Sequence, residues 1–186
     1  LKKSKHLQCY FTLDDKTYLL YEDIRKFGGF YYLKNLNIIN QKLGMDPFNK
    51  NFNYNWMKIN ILSKKRKMKS LLLDQKFICG LGNIYIDEIL WLSKIHPLAL
   101  SHKLKENKIE ILTKNIKKIL SRSIKHHGTT IFNFKFDNMK TGSFKKYLNV
   151  YGRNKKSCIE CNNRIIKIKV SGRGTYLCSY CQRLSN

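Results

Sequence analysis

Four cysteines near the C-terminus constrain this chain more than any other feature. They form two pairs, Cys158-x2-Cys161 and Cys178-x2-Cys181, separated by residues 162–177. Each CxxC turn can direct two sulfurs at one ion, and the stretch between them can form two strands and a turn. The spacing therefore predicts a tetrahedral zinc site on a β-hairpin. Two disulfides, or four unrelated buried thiols, are the alternatives that spacing leaves open. The arm between the pairs is basic, with Arg164, Lys167, Lys169 and Arg173 and no acid. A metal-pinned basic hairpin is suited to holding a polyanion.

The overall charge points to the same partner. The 186 residues carry 37 Lys and Arg against 12 Asp and Glu, a formal charge of +25. Such an excess favours DNA or RNA over a membrane surface. Drift toward Lys, Asn and Ile contributes to it, but drift does not place cations beside turns. An apolar content of 42% is enough for a core and argues against wholesale disorder. No apolar run approaches the length of a membrane span, and Leu1-Lys2-Lys3-Ser4 does not open a signal peptide. A start on Leu rather than Met reads as a fragment of a longer chain. Cys9 and Cys79, in apolar surroundings, are expected as buried thiols in a reducing compartment.

Along the chain, His6–Leu13 and Thr17–Tyr21 have strand character around an Asp14-Asp15-Lys16 turn, and a third strand-like run follows Phe27 to Leu33. Residues 35–54 read as a connection with a short helix. Ser63 is placed to cap a helix carrying Lys64, Lys65, Arg66, Lys67 and Lys69 and continuing through Leu73. Two glycines in Cys79-Gly80-Leu81-Gly82-Asn83 break it. Ile84, Ile86, Ile89, Leu90 and Leu92 trace a second helix, and Ile109, Leu112, Ile116, Ile119, Leu120 and Ile124 a third, closed by His126-His127-Gly128. Helix, glycine turn and helix together can present backbone amides to a phosphate.

These pieces, in this order, resemble the C-terminal two-thirds of the formamidopyrimidine-DNA glycosylases, bacterial base-excision repair enzymes. Asp23-Ile24-Arg25-Lys26-Phe27-Gly28 is similar to the family's DPRRFG. Gly80-Leu81-Gly82-Asn83-Ile84-Tyr85 matches its GxGNIY turn. Gly128-Thr129-Thr130 with Phe132 and Phe134 resembles its GGTT loop entry, and Val150-Tyr151-Gly152-Arg153 resembles the lead into its zinc finger. The resemblance implies an α+β fold in four parts: the last strands of an N-terminal β-sandwich (1–34), a linker (35–55), a helix-two-turn-helix domain with a lesion-loop region (56–148), and a zinc-finger β-hairpin (149–186).

It also implies site residues. Arg25 and Phe27 match the pair inserted into the duplex where a damaged base has been flipped out. An aromatic ring can fill the vacated stack, and a guanidinium can bond the orphaned base. Lys64, Lys69 and Asn83 match positions that contact phosphates or the lesion strand. Arg173 matches the finger arginine that contacts phosphate and is assigned as proton donor in δ-elimination. A guanidinium holds its proton too tightly to be a good general acid, so it is better suited to binding and charge stabilisation. Cys158, Cys161, Cys178 and Cys181 would hold one Zn2+. Lys140 falls in the loop that covers the extruded base. His6, His96, His102, His126 and His127 show no ligand spacing, and packing is the simpler role for Tyr147 and Tyr151.

The implied activity is excision of oxidised purines from double-stranded DNA, with β,δ-elimination at the abasic site, by a cytoplasmic monomer. Relatives use an N-terminal proline amine as nucleophile, and nothing here matches it. The 186 residues are therefore expected to bind DNA without cleaving it, and to give no borohydride-trapped adduct. Endonuclease VIII shares the architecture and is one alternative. The others are a non-catalytic DNA-binding module and a zinc-ribbon component of a ribosomal or transcription assembly.

Overall fold

The computed structural model describes residues 4–35, 37–130 and 142–184. Lys140, Phe132 and Phe134, expected in the loop over an extruded base, lie outside the described residues. Chain contacts divide the molecule into two compact units, Leu1–Asn40 and Gln41–Asn186.

The first unit is a hairpin. Strand β1 (Leu7–Thr12) pairs antiparallel with β2 (Tyr18–Glu22), with an irregularity between Leu7 and Cys9. Asp15 shapes the turn by accepting from the Thr17 amide and hydroxyl. The expected third strand does not form. The ladder ends at Glu22, residues 27–35 form no strand, and the Phe30 ring packs edge-on against Phe11 and Tyr21 at 4.8 and 5.0 Å. A short helix, α1 (Asn37–Asn40), follows. Cys9, expected buried, is half-buried here, as is Cys79 in the second unit.

The second unit is built around helices α2 (Tyr54–Leu62), α3 (Met68–Leu72), α4 (Asn83–Leu92) and α5 (Glu106–Lys125). Helix α2 begins where the Asn53 side chain accepts from the Trp56 amide, and Ser63 ends it rather than starting the next. Residues 64–67 are not helical because their backbone is committed elsewhere. Ser101 donates its amide to Arg66 O at 2.8 Å, Met68 donates to Ala99 O at 2.8 Å, and Lys67 bridges Leu100. These tertiary bonds replace the intrahelical ones that periodicity suggested.

Helix α5 buries Ile109, Leu112, Ile116, Ile119 and Leu120 as expected, each contributing roughly 1.5–3 kcal/mol. Ile124, assigned to the same face, is 64% exposed and lines an open cleft beside Leu120 and Tyr85. Helix α4 lies between α3, α5 and the C-terminal hairpin, so even its acids Asp87 and Glu88 are buried. That hairpin consists of β3 (Ile166–Val170) and β4 (Arg173–Leu177), joined by Ser171 and Gly172, both at positive φ. Two left-handed residues make the turn that matches the strands' own twist.

Candidate nucleic-acid interface and cysteine cluster

The four cysteines converge. All four sulfurs lie within 4.8 Å of one another, with Cys158 to Cys181 at 3.9 Å and Cys161 to Cys178 at 3.4 Å. Disulfides require about 2.05 Å, so the paired-bridge alternative fails. Four sulfurs about 2.3 Å from one tetrahedral ion would sit about 3.8 Å apart, close to what is found. Burial pushes the Cys178 and Cys181 thiols up, a cost that a bound cation would offset.

The knuckles are braced from outside. Asn163 donates its side-chain amide to Cys161 Sγ at 3.5 Å, and buried Gln182 accepts from the Cys178 amide at 3.0 Å while donating to Ile95 O at 2.8 Å. Cys158, Cys178, Val150 and Ile165 pack with Trp91 of α4, so the finger shares its small core with the helical bundle.

The glycine turn between α3 and α4 is held from two sides. Gln75 accepts from the Gly80 amide and donates to Leu81 O, both at 2.9 Å. Gly44 and Met45 donate to Gln75 O and Phe77 O, and a Cβ on Gly44 would collide with the Phe77 carbonyl. Above the turn there is room: a Cβ on Gly80 or Gly82 would meet nothing within 4 Å. The first-turn amides of α4 carry the helix's partial positive charge there and have no intrahelical acceptors. Asn83 stands at this end, donating Nδ2 to Gly174 O at 3.0 Å while its buried Oδ1 has no partner among the described residues.

Arg173 opens β4 beside the hairpin turn and is exposed, as are Arg164, Lys167 and Lys169. Lys64 is half-buried in the extended stretch before α3 and makes no ion pair among the described residues. Lys69 was expected as a phosphate contact. Here its side chain is fully buried and its ammonium lies 2.5 Å from Asp87 Oδ1. Burial pushes Asp87 up to about 6 against the attraction of Lys69, and burial likewise lowers Lys69.

Arg25 and Phe27 belong to the first unit and are exposed, Phe27 at 86%. Their loop is organised by Asp23, which accepts from the amides of Arg25 at 2.9 Å and Gly28 at 2.8 Å. Donation by Gly28, then by Arg25, holds the Asp23 carboxyl below its usual range. A side chain on Gly28 would have to displace the Tyr21 hydroxyl, which packs against this glycine.

Several contributors escaped the sequence reading: Asp23, Gln75, Gln182 and the acids Asp87 and Glu88. Glu88 accepts from the amides of Asn149, Val150 and Tyr151 and so ties the approach to the finger onto α4. Two adjacent acids inside an otherwise apolar helix were the available signal.

Comparison with known proteins agrees with this architecture. Residues 43–135 match the family described as "Formamidopyrimidine-DNA glycosylase H2TH domain". The formamidopyrimidine-DNA glycosylase of Mycoplasma genitalium is 41% identical over 97% of this chain and 64% of its own length. That of Lactobacillus acidophilus is 40% identical over 97% of this chain and 67% of its own. The chain thus spans about two thirds of these relatives. Among solved structures, a Lactococcus lactis FPG mutant in complex with Fapy-dG containing DNA has 34% identity and a TM-score of 0.89, covering 98% of this chain and 68% of that one. The MutM (FPG) protein of Thermus thermophilus has 26% identity and a TM-score of 0.88, covering 100% and 72%. On sequence and on structure alike, the chain belongs to the formamidopyrimidine-DNA glycosylase family.

Proposed function

We propose that these residues are the DNA-gripping part of a base-excision repair enzyme. The whole protein would remove oxidised purines, 8-oxoguanine and formamidopyrimidines, from double-stranded DNA and nick the abasic site by β,δ-elimination. The observation that carries this reading is the meeting of an open glycine turn and a cation-bearing hairpin at one end of α4, tied through Asn83 and Gly174. In this reading the α4 amides, Asn83, Lys64 and Arg173 take the phosphates around the lesion, while Arg25 and Phe27 enter the duplex. Residues 1–34, 35–55, 56–148 and 149–186 act as sandwich strands, linker, helical domain and finger.

Zinc is the ion we assign to the four thiolates, because a closed all-sulfur tetrahedron suits it and demands no redox chemistry. The ion would supply no reaction step. It would fix both knuckles and so the base of the hairpin that carries Arg173. The partner is double-stranded DNA bound by a single copy in the bacterial cytoplasm. Among the described residues no helix is long and apolar enough to cross a membrane.

Competition binding tests this directly. The 186-residue chain should prefer a duplex carrying an abasic-site analogue over undamaged duplex or RNA of equal length. Equal affinity for all three would favour a ribosomal or transcription zinc ribbon instead.

A further inference from the structure

The buried pair Lys69–Asp87 spans more than α3 and α4. While Asp87 Oδ1 takes the Lys69 ammonium, Oδ2 accepts the backbone amide of Tyr176 on β4 at 2.9 Å. The Lys69 ammonium also donates to Gly174 O at 3.4 Å, and Asn83 Nδ2 donates to the same carbonyl at 3.0 Å. One turn of two helices therefore seizes the free edge of β4 at residues 174 and 176. Arg173 is the next residue along that strand. On the far side of the turn, Ser171 Oγ lies 2.5 Å from Ser70 Oγ, the neighbour of Lys69.

We propose that Asp87, with Lys69 as its counter-ion, is a positioning device for Arg173. It latches β4 to α4 so that the guanidinium is presented at a fixed distance from the glycine turn. This rests on the reading above in which Arg173 contacts DNA. Three observations favour it over a purely structural ion pair. The carboxylate uses its second oxygen on the strand rather than on the bundle. The strand atoms that the pair reaches, Gly174 O and Tyr176 N, belong to the same short strand that Arg173 opens. The finger is already joined to α4 by Trp91, Glu88 and Asn83, so this further attachment adds little to simple cohesion. An alkyl-stemmed lysine can neutralise the acid in a dry site without touching the nucleic acid.

The test uses two double variants of the full 186-residue chain. Lys69→Met with Asp87→Leu replaces the pair by apolar groups of similar size, which buried pairs commonly tolerate, and removes the acceptor for Tyr176. Lys69→Met with Asp87→Asn removes both charges but keeps a carbonyl oxygen for that amide. Both should retain bound zinc and cooperative unfolding. The Met/Leu chain should exchange the Tyr176 amide faster and bind an abasic-analogue duplex about tenfold more weakly, the worth of one charge-assisted contact. The Met/Asn chain should bind within about twofold of the parent.

In an Arg173→Ala background the Met/Leu change should cost no further affinity. Full additivity with Arg173→Ala would overturn the proposal, as would unaltered Tyr176 exchange or equal loss in both double variants. Parental affinity of Arg173→Ala by itself would remove the DNA role on which the proposal stands, and overturn it by that separate route.

Discussion

Two exposed arginines in this molecule are held in contrasting ways. Arg25 sits in a loop whose shape is set within six residues, by one carboxylate accepting two amides and one glycine admitting a hydroxyl. Arg173 sits on a strand held by groups from distant parts of the chain: Lys69, Asn83 and Asp87 on the bundle, and four cysteines below. The first arrangement is local and solvent-exposed, so it can change shape cheaply. The second is buried and distributed, so it resists displacement. A residue that enters a duplex benefits from the former, and one that clamps a phosphate from the latter.

Removing the metal should produce the largest difference between the two. Closed zinc sites contribute folding free energy directly, about 10–16 kcal/mol in isolated finger peptides. A strong chelator, or Cys161→Ser, should unfold the finger and shift Trp91 emission to the red, since that indole packs on the knuckle core. Amide signals of β1 and β2 should stay in place. Loss of both sets together would make the two regions one cooperative unit.

Lys69→Met alone comes next. It strands a buried carboxylate, at a cost of about 3–5 kcal/mol. Urea denaturation should register that loss in the second unit, whereas a shift below about 1 kcal/mol would mean that water reaches Asp87.

The smallest effect belongs to Asp23. Its folded pKa is depressed, so its contribution is present above the ordinary carboxylate value and is lost as pH falls through the depressed one. The Gly28 and Arg25 amide protons should titrate with a midpoint below about 3.9, and Asp23→Asn should abolish the titration. A midpoint at or above that value would mean the carboxylate does not hold the loop.

The same contrast explains what could be read in advance. CxxC spacing, the glycine turn and the α5 periodicity are short-range patterns, and the structure contains all three. The helix expected from Ser63 failed because residues 97–101 claim the backbone of 64–69 by tertiary bonds that no local pattern encodes. The burial of Lys69 escapes local patterns for a related reason. Its charge suggested solvent or phosphate, but its partner Asp87 lies 18 residues away on a helix whose every side is covered. Asp23 lies within a recognisable motif, yet its role depends on loop geometry that residue identity does not reveal.

Arg173, on the hairpin above the four cysteines, is proposed to take a phosphate. The salt dependence of binding to an abasic-analogue duplex tests it most directly, with Arg173→Ala beside the parent chain. Loss of one phosphate contact should weaken binding and flatten the slope of log K against log salt by about 0.9. A slope identical to the parent's would contradict the account.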